Sequence, residues 1–239
     1  MLGIIGAMDS EVQELKNEMP DAKITSVAGM DFYEGHIHDK DVVVVKCGIG
    51  KVNAAICTQI LADRYKVDSV INTGVAGSLN SDIDICDIVI SNDAIEHDMD
   101  VTALGYERGV IPDMDNSVFH SDSRLIDVLE EENIMRRLAT SIEEANLSVK
   151  IFTGRVVSGD QFIAGKEKRD DLVNTFAGDC AEMEGASIAH AAYVNNIPCL
   201  IIRAISDKAD GSAEMDYPTF EKKAAANSIK ILKQLIKNL

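Results

Sequence analysis

The sequence predicts an α/β fold with a largely parallel sheet covered on both faces. Three observations carry this. Six short runs are rich in Val and Ile, longer helix-like segments separate them, and turn residues close each run. Near-continuous apolar runs of this kind suit strands buried on both faces.

The elements follow in order. LGIIGAM (2–8) opens the sheet and helix 10–19 follows, with Ser10 and Gln13 spaced as a capping box. DVVVVKCG (41–48) is the second run. Gly48 and Gly50 turn the chain after it, and Lys51 opens helix 51–65. SVINTG (69–74) and CDIVISN (86–92) are the third and fourth runs. A charged helical segment spans 122–146, ahead of VKIFTGRVVSG (149–159). Helices 166–176 and 184–195 lead to the last run, CLIIRAIS (199–206), and helix 217–238 ends the chain. No repeat, low-complexity tract or Pro/Gly/Ser-rich linker interrupts this order, so one domain over 1–239 is expected.

Composition excludes several classes of function. A formal net charge of −17 disfavours nucleic-acid backbones and anionic membranes as partners. No apolar run reaches the 18 or so residues of a membrane span, and the first residues lack a basic, secretory-type start. The five cysteines are widely spaced, with no C-x-x-C, which reads as buried reduced thiols in a cytoplasmic protein. His36 and His38 have no third ligand nearby and read as solvent-facing. No metal or cofactor is expected.

Open α/β sheets bind ligands where strands end. After the first run stands Glu11. It is either a first-turn acid complementing the helix dipole or a functional carboxylate. Gly48 and Gly50 make a compact turn that matches a phosphate-binding loop only loosely. Gly74 and Gly77 flank small residues, so a flat ligand can approach that backbone closely. Asp207 ends a buried strand. It is either a cap or an acid whose raised pKa suits proton donation. Gly211 and Ser212 follow in a polar, lid-like stretch. AEMEGASIAHAAY (181–193) sets Glu182 and Glu184 two residues apart before a small apolar run. Two apart diverges on a helix but shares one face of an extended segment. A strand-like approach ending near Glu184 would let both acids reach a ligand at the following helix's N-terminus.

In combination, GIIGAMDSEV, GIGKVNAA, NTGVAGS, HDMDVTALGY, VSGDQFI, EMEGASIAH and RAISDKAD resemble the bacterial 5′-methylthioadenosine/S-adenosylhomocysteine nucleosidases of the nucleoside phosphorylase family. They run in family order from residue 3 to 210. The resemblance implies a nucleoside phosphorylase-like three-layer α/β/α sandwich with a mixed, curved central sheet, in a homodimer. It implies hydrolysis of the N-glycosidic bond, with no cofactor. Glu11 matches the general base that activates water, and Asp207 the general acid at the purine N7. Glu184 matches the carboxylate on the ribose hydroxyls, Glu182 an acid near the water, and Met183 the ribose floor. Phe162 and Ile163 match the groups at the adenine edge, and Met8 and Ile49 apolar walls. Tyr217 stands where a Phe is common near the 5′ substituent. Val75, Gly77, Arg203 and Ser206 complete the substrate-contacting set. Val101 and Leu104 match residues that a neighbouring subunit lends to the pocket.

The chain departs from the pattern in three places. Residues 122–150 run about ten longer than expected for this region. Leu104 and Tyr217 replace frequent aromatics by other apolar or aromatic types. Asn72 and Val75 stand where related phosphorylases bracket the turn with an arginine and a serine, so the phosphate site looks dismantled. The rival readings are a purine nucleoside phosphorylase, a futalosine-type hydrolase, and a non-catalytic nucleoside-binding or storage protein.

Overall fold

The computed structural model describes residues 1–130 and 149–239. The segment 122–146, read as one long helix, therefore lies partly outside the described residues. Its first part is helical, over Ser123–Glu130.

Ten described strands form the sheet: β1 Leu2–Gly6, β2 Lys23–Val27, β3 Met30–Ile37, β4 Lys40–Lys46, β5 Ser69–Ser78, β6 Ile88–Glu96, β7 Val118–His120, β8 Ile151–Ser158, β9 Cys180–Glu182 and β10 Cys199–Asp207. The helices are α1 Asp9–Asn17, α2 Lys51–Ile60, α3 Ser123–Glu130, α4 Lys166–Phe176, α5 Gly185–Val194 and α6 Ala213–Asn238. A π-helical turn, Leu61–Tyr65, extends α2.

The sheet order is β10-β6-β8-β9-β5-β1-β4-β3-β2, with β7 beside β6 and β10 pairing also with β5. Strands β10, β6, β8, β9 and β5 thus close on one another, which curves the sheet strongly. Five pairings are parallel and five antiparallel. The expectation of a largely parallel sheet is corrected to an evenly mixed one. Four of the five antiparallel pairings involve the hairpin β2–β3 or the short strands β7 and β9, whose polar or brief runs the apolar criterion passes over. The fifth joins two apolar runs, β6 and β10, whose relative direction an apolar pattern does not encode.

Strand β4 shows how the layers form. Val42 and Val44 pack with Leu15 of α1 and Leu232 of α6. Val43 and Val45 point the other way, into a cluster with Ala54 of α2 and Ile188 of α5. All four valines are fully buried, and side-chain alternation across a strand makes this two-sided burial possible. The result is a three-layer α/β/α sandwich around a mixed, curved sheet, as the resemblance implied.

Two local expectations are revised. Helix α1 begins at Asp9, after Met8. Ser10 and Gln13 form no capping box. The Ser10 hydroxyl donates to Glu221, and the Gln13 amide to Asn17. Helix α6 begins at Ala213, four residues earlier than read, so the polar stretch after Asp207 is short. His36 is exposed and paired with Asp41, His38 lies in the exposed turn after β3, and all five cysteines are buried and unpaired. No described helix is long and apolar enough to cross a membrane.

Candidate active site

A cavity of about 320 Å³ opens at the ends of β1, β5, β9 and β10. Each wall comes from a different part of the chain. Met8 and Glu11 reach it from the β1–α1 junction, and Ile49 from the turn after β4. Strand β5 supplies Val75 and Gly77, and the turn after β8 supplies Phe162. Glu182, Met183 and Glu184 come from the β9–α5 junction, Ser206 and Asp207 from β10, and Tyr217 from α6.

Glu11 sits in the first turn of α1, and its carboxylate folds back over the start of its own helix. It accepts N–H groups from Ala7 (2.6 Å), Met8 (2.9 Å) and Val75 (3.1 Å). Burial pushes its pKa up, against the pull of the Arg203 charge and those three donors. The close approach to β5 needs a glycine at 74: a Cβ there would lie 2.5 Å from the Glu11 carboxylate oxygen.

Asp207 owes its place to a bulge. Ile205 pairs with Ala76 and Asp207 with Gly77, so Ser206 is the extra residue on β10. A bulge re-aims the side chains beside it. The Asp207 carboxylate accepts the Ala209 N–H (2.9 Å) and the Ser206 hydroxyl (2.8 Å). Burial raises its pKa nevertheless, and Asp216 and Asp210 push the same way.

The junction of β9 and α5 gives its two acids different work. The chain is extended through Glu182, and Glu184 is the residue before the helix, as the strand-like approach required. Glu182 accepts the N–H groups of Glu184 (3.0 Å) and Gly185 (2.8 Å), the Ser158 hydroxyl, and the Arg203 guanidinium (2.5 Å). Burial alone would raise its pKa, but Arg203 and these donors hold it below the usual carboxylate range. Glu184 accepts only one described N–H, from Gly50 at 2.8 Å. Burial and the neighbouring Glu182 charge push its pKa up to about 8. Glu182 therefore caps the helix and stays ionised, while Glu184 faces the cavity as a readily protonated acid.

Four sequence-derived site residues are not in the cavity wall. Arg203 is fully buried behind it, bonded to Glu182, Asn72 and the Ile202 carbonyl. Its two terminal nitrogens are taken by these partners, and from behind the wall its charge serves Glu182 rather than a ligand. Ile163 lines a small recess shared with Phe162, Met183 and Asp207. Val101 and Leu104 lie outside the cavity on the surface, Leu104 being 74% exposed. Sequence reasoning missed the Gly50 N–H and the Ser158 hydroxyl. A backbone donor carries no side-chain signal, and Ser158 reads as an ordinary strand residue. Small residues Ala7, Ala76 and Ala181 also line the cavity without a distinguishing pattern. Among the described residues no group of three or more His, Cys, Asp or Glu is gathered as a metal site would need.

A curved, mixed α/β sheet with a carboxylate-walled cavity at its strand ends defines a class, and the chain belongs to it: the model of the phosphorylase superfamily matches residues 1–237. Within that superfamily it is similar to nucleosidases and to a related hydrolase. The 5′-methylthioadenosine/S-adenosylhomocysteine nucleosidase of Staphylococcus aureus is 41% identical over 240 residues, covering all of both chains. The structure of the corresponding Neisseria meningitidis enzyme, in complex with methylthio-immucillin-A, superimposes with a TM-score of 0.90 at 36% identity. That match covers 100% of this chain and 99% of the other. A futalosine hydrolase of Helicobacter pylori gives a TM-score of 0.89 at 31% identity, covering 100% and 97%. The chain is thus an enzyme of the N-glycosyl hydrolase kind.

Proposed function

We propose that this chain hydrolyses the N-glycosidic bond of 5′-methylthioadenosine and S-adenosylhomocysteine, releasing adenine and the 5-thioribose. The observation that carries the reading is the meeting of Glu11, Glu184 and Asp207, from three distant segments, in one nucleoside-sized cavity. Each is buried, and each has a raised pKa.

The chemistry follows from those environments. Asp207, favoured in its neutral form, gives its proton to N7 of the departing purine. The glycosidic bond breaks, and its electron pair leaves with the base. Glu11 removes a proton from a water molecule, which bonds to the anomeric carbon on the opposite face. Glu184 accepts hydrogen bonds from the ribose hydroxyls. The positive charge developing on the sugar opposes the burial and the Glu182 charge that favour its neutral form, and the carboxylate so favoured stabilises that charge. Glu182 is held ionised nearby by Arg203 and adds to that field. One water is consumed. The proton gained by Glu11 and lost by Asp207 re-equilibrates through solvent before the next turnover.

Water is favoured over phosphate because, among the described residues, no Arg or Lys lines the cavity. Asn72 is turned to Arg203 and the Ile5 carbonyl, and Val75 offers only its backbone. Around the purine, Phe162 and Ile163 form the wall and its adjoining recess. Met8, Ile49 and Tyr217 form the apolar end for the 5′ substituent. Ile49, 54% exposed, leaves that end open, and Leu104 stands exposed outside the cavity, which supports a homodimer in which Val101 and Leu104 of a second copy close it. Five unpaired buried thiols fit the reducing cytoplasm.

Release of the free purine base, adenine or hypoxanthine according to the substrate, should be compared among methylthioadenosine, adenosylhomocysteine, inosine and a futalosine analogue. The two thio-substituted adenosines are expected to lead. Preference for the futalosine analogue would transfer the assignment to the Helicobacter-type hydrolase.

A further inference from the structure

Three turns around the cavity are joined by a closed ring of hydrogen bonds. The Lys51 backbone N–H donates to the Asp160 carboxylate at 2.9 Å. The Asp160 backbone N–H donates to the Asp98 carboxylate at 3.0 Å. The Lys51 ammonium closes the ring on the other Asp98 oxygen at 2.7 Å. None of the three residues lines the cavity. Residues two positions from Lys51 and Asp160, Ile49 and Phe162, do. Gly50, beside Lys51, donates the N–H that holds Glu184, and Phe162 stands two residues beyond Asp160.

We infer that Lys51 is a positioning residue: through Asp98 and Asp160 it locks the turn that holds Glu184 to the turn that presents Phe162. The two walls lie on separate strand ends, β4 and β8, and no direct bond between Gly50 and Phe162 is described. Gly50 itself takes φ +97°, a conformation with few alternatives to hold it in place. The Lys51 ammonium is mostly buried, and it also bonds Glu96 at 3.0 Å, whose other oxygen meets His190 at 3.0 Å. Burial works against the Lys51 charge, yet its bonds to Asp98 and Glu96 outweigh that and raise its pKa. The Lys51–Asp98 arm of the ring is therefore a partly buried, charge-assisted bond, and the two bonds through Asp160 extend it to the exposed turn after β8. Preorganising two walls before binding lowers the ordering cost that a ligand would otherwise meet.

This inference rests on the proposed nucleosidase reading for its kinetic test, but not for its binding test. Two single variants and their combination decide it. Asp160→Ala removes an exposed side chain and leaves the core untouched. Lys51→Met removes the charge that closes the ring. Both are expected to raise KM for methylthioadenosine at least fivefold with kcat within threefold. The Kd for adenine, read by calorimetry, should rise in parallel. The double variant should be less impaired than the product of the two single effects, since either change opens the same ring. KM and adenine Kd within twofold of wild type in Asp160→Ala, whatever happens to melting temperature, would overturn the inference, as would strictly multiplicative effects. Wild-type enzyme that binds adenine but cleaves no thionucleoside would instead count against the functional reading, and adenine affinity would still read the ring.

Discussion

Asp207 and Glu182 are both buried carboxylates on strand ends, and their surroundings drive them in opposite directions. Glu182 has a guanidinium and helix N–H groups and remains charged. Asp207 has one N–H, one hydroxyl and two acidic neighbours and is biased towards its neutral form. Of the two, the Asp207 surroundings are the ones that favour holding a proton, as the proposed role of acid to a leaving base needs. Asp207→Asn keeps the shape and the hydrogen-bond capacity but has no proton to give. We expect kcat to fall by about 10²–10⁴ while an adenosine-like inhibitor still binds; near-wild-type turnover would remove Asp207 from its role. The candidates Glu11, Glu184 and Asp207 were legible as strand-end acids, although each alone also fitted a cap. Arg203 was legible as a charged residue in an apolar strand, but not as the partner of Glu182. Its partner lies 21 residues away, and only the closing of the sheet brings them together.

At the scale of elements, six apolar runs correspond to β1, β4, β5, β6, β8 and β10, because burial on both faces leaves an unbroken Val/Ile signal. The hairpin β2–β3 escaped because it sits at the sheet's edge, where β2 is mostly exposed and polar. Strands β7 and β9 have only three residues each, too few for periodicity to register. Yet β9 is what places Glu182 and Glu184, and their spacing of two anticipated its extended backbone. The junction has a measurable titration. The ordinary Glu184 pKa is 4.5, and in the folded chain it is pushed up to about 8. Between those values the folded state keeps a proton that the unfolded state has lost, so stability from this group is full below about pH 4.5 and falls as pH rises towards 8. Glu184→Gln cannot titrate. From pH 5 to 8 its unfolding free energy relative to wild type should move in the variant's favour by on the order of 3 kcal/mol. Urea unfolding at several pH values checks this, and a constant difference across the range would refute it.

At the scale of the whole molecule, the closed group of β10, β6, β8, β9 and β5 brings residues 11, 184 and 207 to one hollow, while the apolar mouth remains uncovered. The proposed subunit pairing belongs to this scale, and it rests on the exposed apolar residues at and beside the mouth. Leu104→Asp should shift the protein to monomer in sedimentation and cut activity severely; a monomer with full activity would exclude a shared pocket.

Hydrolysis by three carboxylates in a site without a phosphate-binding cation is the claim on which the rest depends. The most direct measurement follows the sugar product of methylthioadenosine cleavage in phosphate-free buffer and again with added phosphate. The structure predicts equal rates and free 5-methylthioribose in both. Turnover that requires phosphate and yields the sugar 1-phosphate would contradict it.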